Sequence, residues 1–137
     1  TDYCDKDIIV DLDPDQMIQV ILNFITNSLE AMPNQRGTVR IKTKLSDDSV
    51  KLIIWDSGTG IESSRIEKIF EPFFTTKQIG KGTGLGLAVT YGIIKMHKGQ
   101  ISVRSNYEAS KGETYTEFTV TLPIKQKNKI NGMSEVN

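Results

Sequence analysis

Between Asp13 and Met32 the apolar residues recur with helical spacing. At about 100° per residue, Ile18, Ile21, Leu22, Ile25, Leu29 and Met32 crowd one side, while Gln16, Gln19, Asn23, Asn27 and Glu30 share the other. Asp13 is placed to cap this helix, with Pro14 in its first turn, and Pro33 to Gly37 end it as a turn. Ahead of it, Ile8-Ile9-Val10 is a short apolar run consistent with a strand. Residues 38–45 alternate with period two, as a half-buried strand does; residues 50–55 are more continuously apolar and read as a central strand. Residues 63–69 read as a short helix, and 84–97 as a helix that opens on glycines and stops at Gly99. Residues 100–105 and 116–122 alternate again, joined by a polar turn around Lys111-Gly112.

Strands 38–45 and 50–55 have no helix between them, which argues against a doubly wound parallel sheet, since that would need helices between most strands. The pattern predicts an α/β (α+β) two-layer sandwich, a mixed β-sheet packed on one side by about three helices. One domain is expected over residues 1–124. Residues 125–137 hold few apolar groups and are expected to be a disordered tail. Seventeen basic and seventeen acidic residues cancel, so no global field recruits nucleic acid or an anionic membrane. The single cysteine, Cys4, excludes an internal disulfide and fits a reducing compartment. No apolar run approaches the roughly 20 residues of a spanning helix, so a cytoplasmic setting is expected, with a parent protein free to be membrane-anchored. The chain has no initiator methionine and begins almost on a strand, so it is read as a fragment.

Three clusters carry candidate chemistry. Asn23 and Asn27, one helical turn apart, either belong to a solvated polar face or offer neutral amide oxygens of the kind Mg²⁺ accepts. Asp56-Ser57-Gly58-Thr59-Gly60-Ile61 follows the central strand. It is either an ordinary turn or a carboxylate that accepts from an exocyclic amine beside glycines admitting a flat ring. Gly80, Gly82, Gly84 and Gly86 alternate directly before a helix, either as a flexible loop or as backbone N–H groups facing an anion. Neither the P-loop pattern nor the dinucleotide pattern GxGxxG can be written over them. Phe70-Glu71-Pro72-Phe73-Phe74 places aromatics just before that loop, either as ordinary core or as the base of a lid, and Lys77 and Lys81 are either solvated or reach phosphate oxygens.

In this order the clusters resemble the N, G1, F and G2 boxes of the ATP-binding catalytic domain of sensor histidine kinases, in the GHKL superfamily with gyrase, heat-shock chaperone and mismatch-repair relatives. The resemblance runs from about Ile8 to Pro123, with the family's first strand absent or truncated before Thr1. It implies a two-component signal-transduction enzyme using ATP and Mg²⁺. Asn27 is implied as the metal ligand and Asn23 as a neighbour of the phosphates, with Lys77 beside them at the catalytic centre. Asp56 is implied as the reader of the adenine amine, with Gly58, Gly60 and Ile61 shaping the pocket and Phe70 and Phe74 at its flank. Residues 75–83 match the family's ATP lid, and Lys81, Gly82, Thr83, Gly84, Leu85 and Gly86 its nucleotide-contacting end.

Two departures refine this. Gyrase-like relatives carry a water-activating glutamate where this chain has Asn23, and an amide has no useful basicity, so transfer is favoured over hydrolysis. Glu30 replaces a residue that is basic in many histidine kinases, which resembles the nitrogen-regulatory and sporulation-kinase branch. His97, the only histidine, matches the terminus of the family's last helix and not a phosphoacceptor. The implied partners are therefore ATP, a histidine-containing dimerisation domain outside this chain and, indirectly, a response regulator, with this fragment itself a monomer. The rival readings are a hydrolytic ATPase, a non-catalytic nucleotide- or partner-binding module and, more remotely, an anti-sigma-type serine kinase.

Overall fold

The computed structural model describes residues 8–75 and 84–125. Asp13 caps the first helix as its position requires: its Oδ1 accepts from the N–H groups of Asp15 at 3.0 Å and Gln16 at 3.2 Å. That helix, α1, runs Pro14–Ala31. It is followed by strands β1 (Val39–Leu45) and β2 (Ser49–Asp56), a one-turn helix α2 (Ser63–Ile66), helix α3 (Gly86–Met96) and strands β3 (Gln100–Asn106) and β4 (Tyr115–Pro123). The strands lie in the order β1-β2-β4-β3, each neighbour antiparallel.

Alternation along β2 and β4 turns Ile54, Phe118, Val120 and Leu122 to one face, where they meet Met17, Val20 and Phe24 of α1 and Ile93 and Ile94 of α3. The Phe24 and Phe118 rings lie 4.9 Å apart between their centroids. Val20, Phe24, Ile54, Ile94 and Val120 are fully buried, each contributing about 1.5–3 kcal/mol. The expected two-layer sandwich is present. No helix among the described residues is long and apolar enough to cross a membrane.

The structure turns α1 away from its apparent apolar side. The buried face is Met17, Val20, Phe24 and Ser28, whereas Ile18, Leu22 and Leu29 are 55%, 56% and 44% exposed. Phe24 is the largest side chain on the helix and fixes which way it faces. The asparagine flank then turns toward α3 and the isoleucine–leucine flank outward. Ile8 to Val10 form no strand; Ile9 is tied to the end of β4 through a single backbone bond from the Lys125 N–H, 3.2 Å. The expected helix over 63–69 closes after Ile66 into hydrogen-bonded turns that bury Ile69.

Candidate functional site

The site forms where the C-terminal half of α1 lies between the end of β2 and the first turn of α3. Asn23 and Asn27 are both half-buried here, at the margin between core and solvent. Asn23 Nδ2 donates to Gly86 O and to Thr90 Oγ1, each at 3.1 Å. The asparagine thus holds the N-terminal turn of α3 against α1, close to the helix N–H groups that favour an anion. Ser28 lies five residues beyond Asn23, a rise of about 7.5 Å, and it borders Asp56. One helix therefore spans both ends of the site.

Asp56 ends β2 and is 2% exposed. Its Oδ1 accepts from Gly58 N–H at 2.9 Å. Burial pushes its carboxyl above the ordinary carboxylate value, and hydrogen bonds from the Gly58 N–H, the Ser28 hydroxyl and the Thr116 N–H pull it part of the way back. Ser28 Oγ, on a side chain only 1% exposed, lies near enough to act on the carboxylate but meets no partner at strict hydrogen-bond geometry. A buried polar atom of this kind is one that a ligand or a bound water satisfies.

The loop after β2 is bound on both sides. A Cβ at Gly58 would meet the backbone and side chain of Ala31 at 2.9 Å, and Thr59 N–H donates to Ala31 O at 3.0 Å. Gly60 has φ +78° and is pressed against the carbonyl of Asn106, a place no side chain fits. Ile61 N–H donates to Ser105 Oγ at 2.7 Å, which in turn donates to Tyr115 O at 2.6 Å and lies 3.2 Å from Thr116 Oγ1. The loop is thereby fastened to the end of the β3–β4 hairpin.

Phe70 packs on Phe118 and Tyr91, and Phe70, Phe74 and Ile61 all lie half-buried against the core. Phe73 takes φ +66° and leaves its ring 75% exposed, while its N–H donates to Gly84 O at 3.0 Å. Gly84 has φ +67°, and a Cβ there would meet the Phe73 carbonyl carbon at 2.5 Å. Gly84→Ala is therefore expected to cost about 1–3 kcal/mol. A lower melting temperature would show this. Leu85 precedes α3, and Gly86 is its first residue. Gly86 contributes through its carbonyl, since a Cβ there would have 3.9 Å to the nearest atom.

Of the residues expected from sequence, the structure gathers Asn23, Asn27, Asp56, Gly58, Gly60 and Gly86 around α1. Lys77, Lys81, Gly82 and Thr83 lie outside the described residues, as do all of the expected 75–83 lid except Thr75 and all of the expected 125–137 tail except Lys125. Ser28, Thr90, Ser105 and Thr116 were not foreseen. Ser28 carries no signal in the sequence, because the buried face of α1 that holds it is not the face that apolar spacing marks. Thr116 is marked only by its register opposite Asp56.

Comparison with known proteins assigns this arrangement. Residues 12–126 match the family model described as "Histidine kinase-, DNA gyrase B-, and HSP90-like ATPase", and the chain belongs to that family. It is 41% identical over 115 residues to Sensor histidine kinase ZraS of Escherichia coli (strain K12), covering 84% of this chain and 23% of that protein. It is also 41% identical over 115 residues to Sporulation kinase E of Bacillus subtilis (strain 168), covering 83% and 14%. The chain thus spans less than a quarter of the length of these two relatives. Among solved structures, the catalytic domain of histidine kinase ThkA superposes with a TM-score of 0.72 at 34% identity, covering 87% of this chain and 75% of that one.

Proposed function

We propose that this domain binds Mg²⁺–ATP along α1 and presents the γ-phosphoryl group to a histidine on a separate dimerisation domain, from which a response regulator is supplied. The base lies against Asp56 and the phosphates lie at the first turn of α3. The observation that carries the reading is Asn23. Its amide is committed to Gly86 O and Thr90 Oγ1 beside the α3 N-terminus, and it has no basicity with which to activate water.

The donor set fits magnesium. No group of three or more His, Cys, Asp or Glu side chains that could hold a metal occurs among the described residues. Mg²⁺ is commonly held by one or two protein oxygens with waters and substrate phosphates, and Asn27 is the oxygen available between base and phosphates. When bound, the ion supplies charge neutralisation across the transferring phosphoryl group. The chain's own residues do the rest: Asp56 orients the base, the loop after β2 excludes water from the ring, and α3 sets the phosphate position through Asn23. The incoming imidazole nitrogen forms a bond to the γ-phosphorus as the bond to the β–γ bridging oxygen breaks, leaving ADP and a phosphohistidine.

Incubating the chain with labelled ATP and an added histidine-kinase dimerisation domain tests this. Acid-labile, base-stable label on the added domain is expected, with little free phosphate. Phosphate release at ordinary ATPase rates would favour the hydrolytic rival, and binding without either product would leave a nucleotide-binding module. Asn23→Ala, which removes both ties to α3, is expected to lower transfer by about tenfold to a hundredfold, read as the initial rate of phosphohistidine formation.

A further inference from the structure

The open face of the sheet separates charge in a chain whose seventeen basic and seventeen acidic residues cancel. Ile54 and Asp56 face the helices, so Lys51, Ile53 and Trp55 point the other way. The antiparallel register sets Arg40 opposite Trp55, Lys42 opposite Ile53 and Lys44 opposite Lys51. Four cations therefore share the β1–β2 half of this face with one indole. Arg40 lies over the Trp55 ring at 4.8 Å, and Tyr115 stacks on its other flank at 6.3 Å. The only carboxylate on the β2–β4–β3 part of the face is Glu117, which pairs with Arg104 at 3.2 Å. None of the four cations forms an ion pair with a described residue.

Lysines on an edge strand commonly protect it from unwanted pairing, and that accounts for part of β1. It does not account for Lys51, which sits on β2, paired on both sides. Like charges directly opposite each other also destabilise a strand pair, so the Lys44–Lys51 register works against the fold. Arg40, Lys42 and Lys44 recur every second residue, about 6.8 Å apart on a rigid strand. Carboxylates at alternate positions of an extended peptide recur at the same interval. The aromatic pair beside them is the type of group that anchors protein interfaces.

We propose that Arg40, Lys42, Lys44, Lys51 and Trp55 form a docking face for an acidic protein segment in extended conformation, its carboxylates at alternate positions. The face is on the opposite side of the sheet from α1 and α3, so a partner held there leaves the nucleotide site accessible.

Trp55 is the chain's only tryptophan, so its fluorescence reports this face directly. Titration with a synthetic peptide alternating glutamate and serine should give a saturable change that disappears at raised salt. Lys42→Glu with Lys44→Glu should weaken binding at least about tenfold; Lys68→Glu, on the helical side, should not. Lys51→Gln removes a charge without adding one and repeats the test should the double variant fold poorly. Lys44→Glu alone should raise the melting temperature while weakening the peptide, because it turns a like-charge pair into an attractive one. ATP affinity, followed on the same variants with a fluorescent nucleotide, should stay at the parent value, so the nucleotide site is judged separately. The proposal is overturned if the peptide leaves Trp55 unchanged, if the substitutions do not alter binding, or if an oligothymidylate or phosphatidylserine vesicles bind this face more tightly than the peptide.

Discussion

Replacing Asp56 by asparagine should lower ATP affinity by about tenfold to a hundredfold, the range expected when a hydrogen bond to a charged group is lost. Gly58 N–H holds Oδ1 at 2.9 Å, so an asparagine keeps its oxygen there and presents an NH₂ where the carboxylate had its second acceptor. In the proposed binding mode a donor then faces the adenine amine. The same change should narrow discrimination against GTP, whose ring offers an acceptor at that position. Competition of ATP and GTP for a fluorescent analogue measures both effects. Unchanged ATP affinity and unchanged discrimination would remove Asp56 from base recognition.

The same residue leaves a mark on stability against pH. Its carboxyl lies above the ordinary value of 3.8, chiefly because it is buried. A carboxyl with a raised folded value binds its proton more tightly when folded. Its contribution to stability is therefore fully present below the unfolded value and is lost as pH rises through the folded value. Denaturation of the nucleotide-free domain across the acidic range should show this decline, and Asp56→Asn should lack it. On the proposed function, adenine would be read by a group whose ionisation the fold resists, and a bound base would compensate by supplying a donor to the charged form.

Much of this was legible in the chain, for local reasons. The Asp13-Pro14 start and the Pro33 stop bound α1 to within a residue or two, because capping chemistry acts over a single turn. Period-two alternation located β1, β3 and β4, and the apolar density of residues 50–55 identified a strand paired on both sides. Asp56, Gly58 and Gly60 read equally well as an ordinary turn when taken alone, and only their order with the other clusters, in the resemblance to the family, singled them out. What failed was direction. Spacing alone put Ile18, Leu22 and Leu29 on the apolar side of α1, but burial is decided by what lies beneath the helix, and β2 and β4 meet Phe24. That rotation also places Asn23 against α3 and Ser28 beside Asp56. Ser105 and Thr116 reach the site only through the β3–β4 pairing, a register that no single segment encodes.

The Asn27→Ala variant should separate metal from nucleotide. Asn27 is on the same half-buried flank of α1 as Asn23, one turn nearer Asp56, where the proposed function has its amide oxygen offer Mg²⁺ a hard ligand without adding charge. Alanine has the higher helix propensity, by about 0.5 kcal/mol, so the fold should not suffer and the melting temperature should not fall. Phosphoryl transfer depends on neutralising charge at the transferring group. Transfer to a dimerisation domain should therefore fall at least about a hundredfold, some 2.7 kcal/mol at the transition state. The distinguishing measurement is ATP affinity with and without Mg²⁺. In the parent chain magnesium should strengthen binding, whereas in Asn27→Ala the two affinities should converge on the metal-free value. Metal-dependent binding that survives the substitution would assign the ligand to another residue, even if transfer were lost.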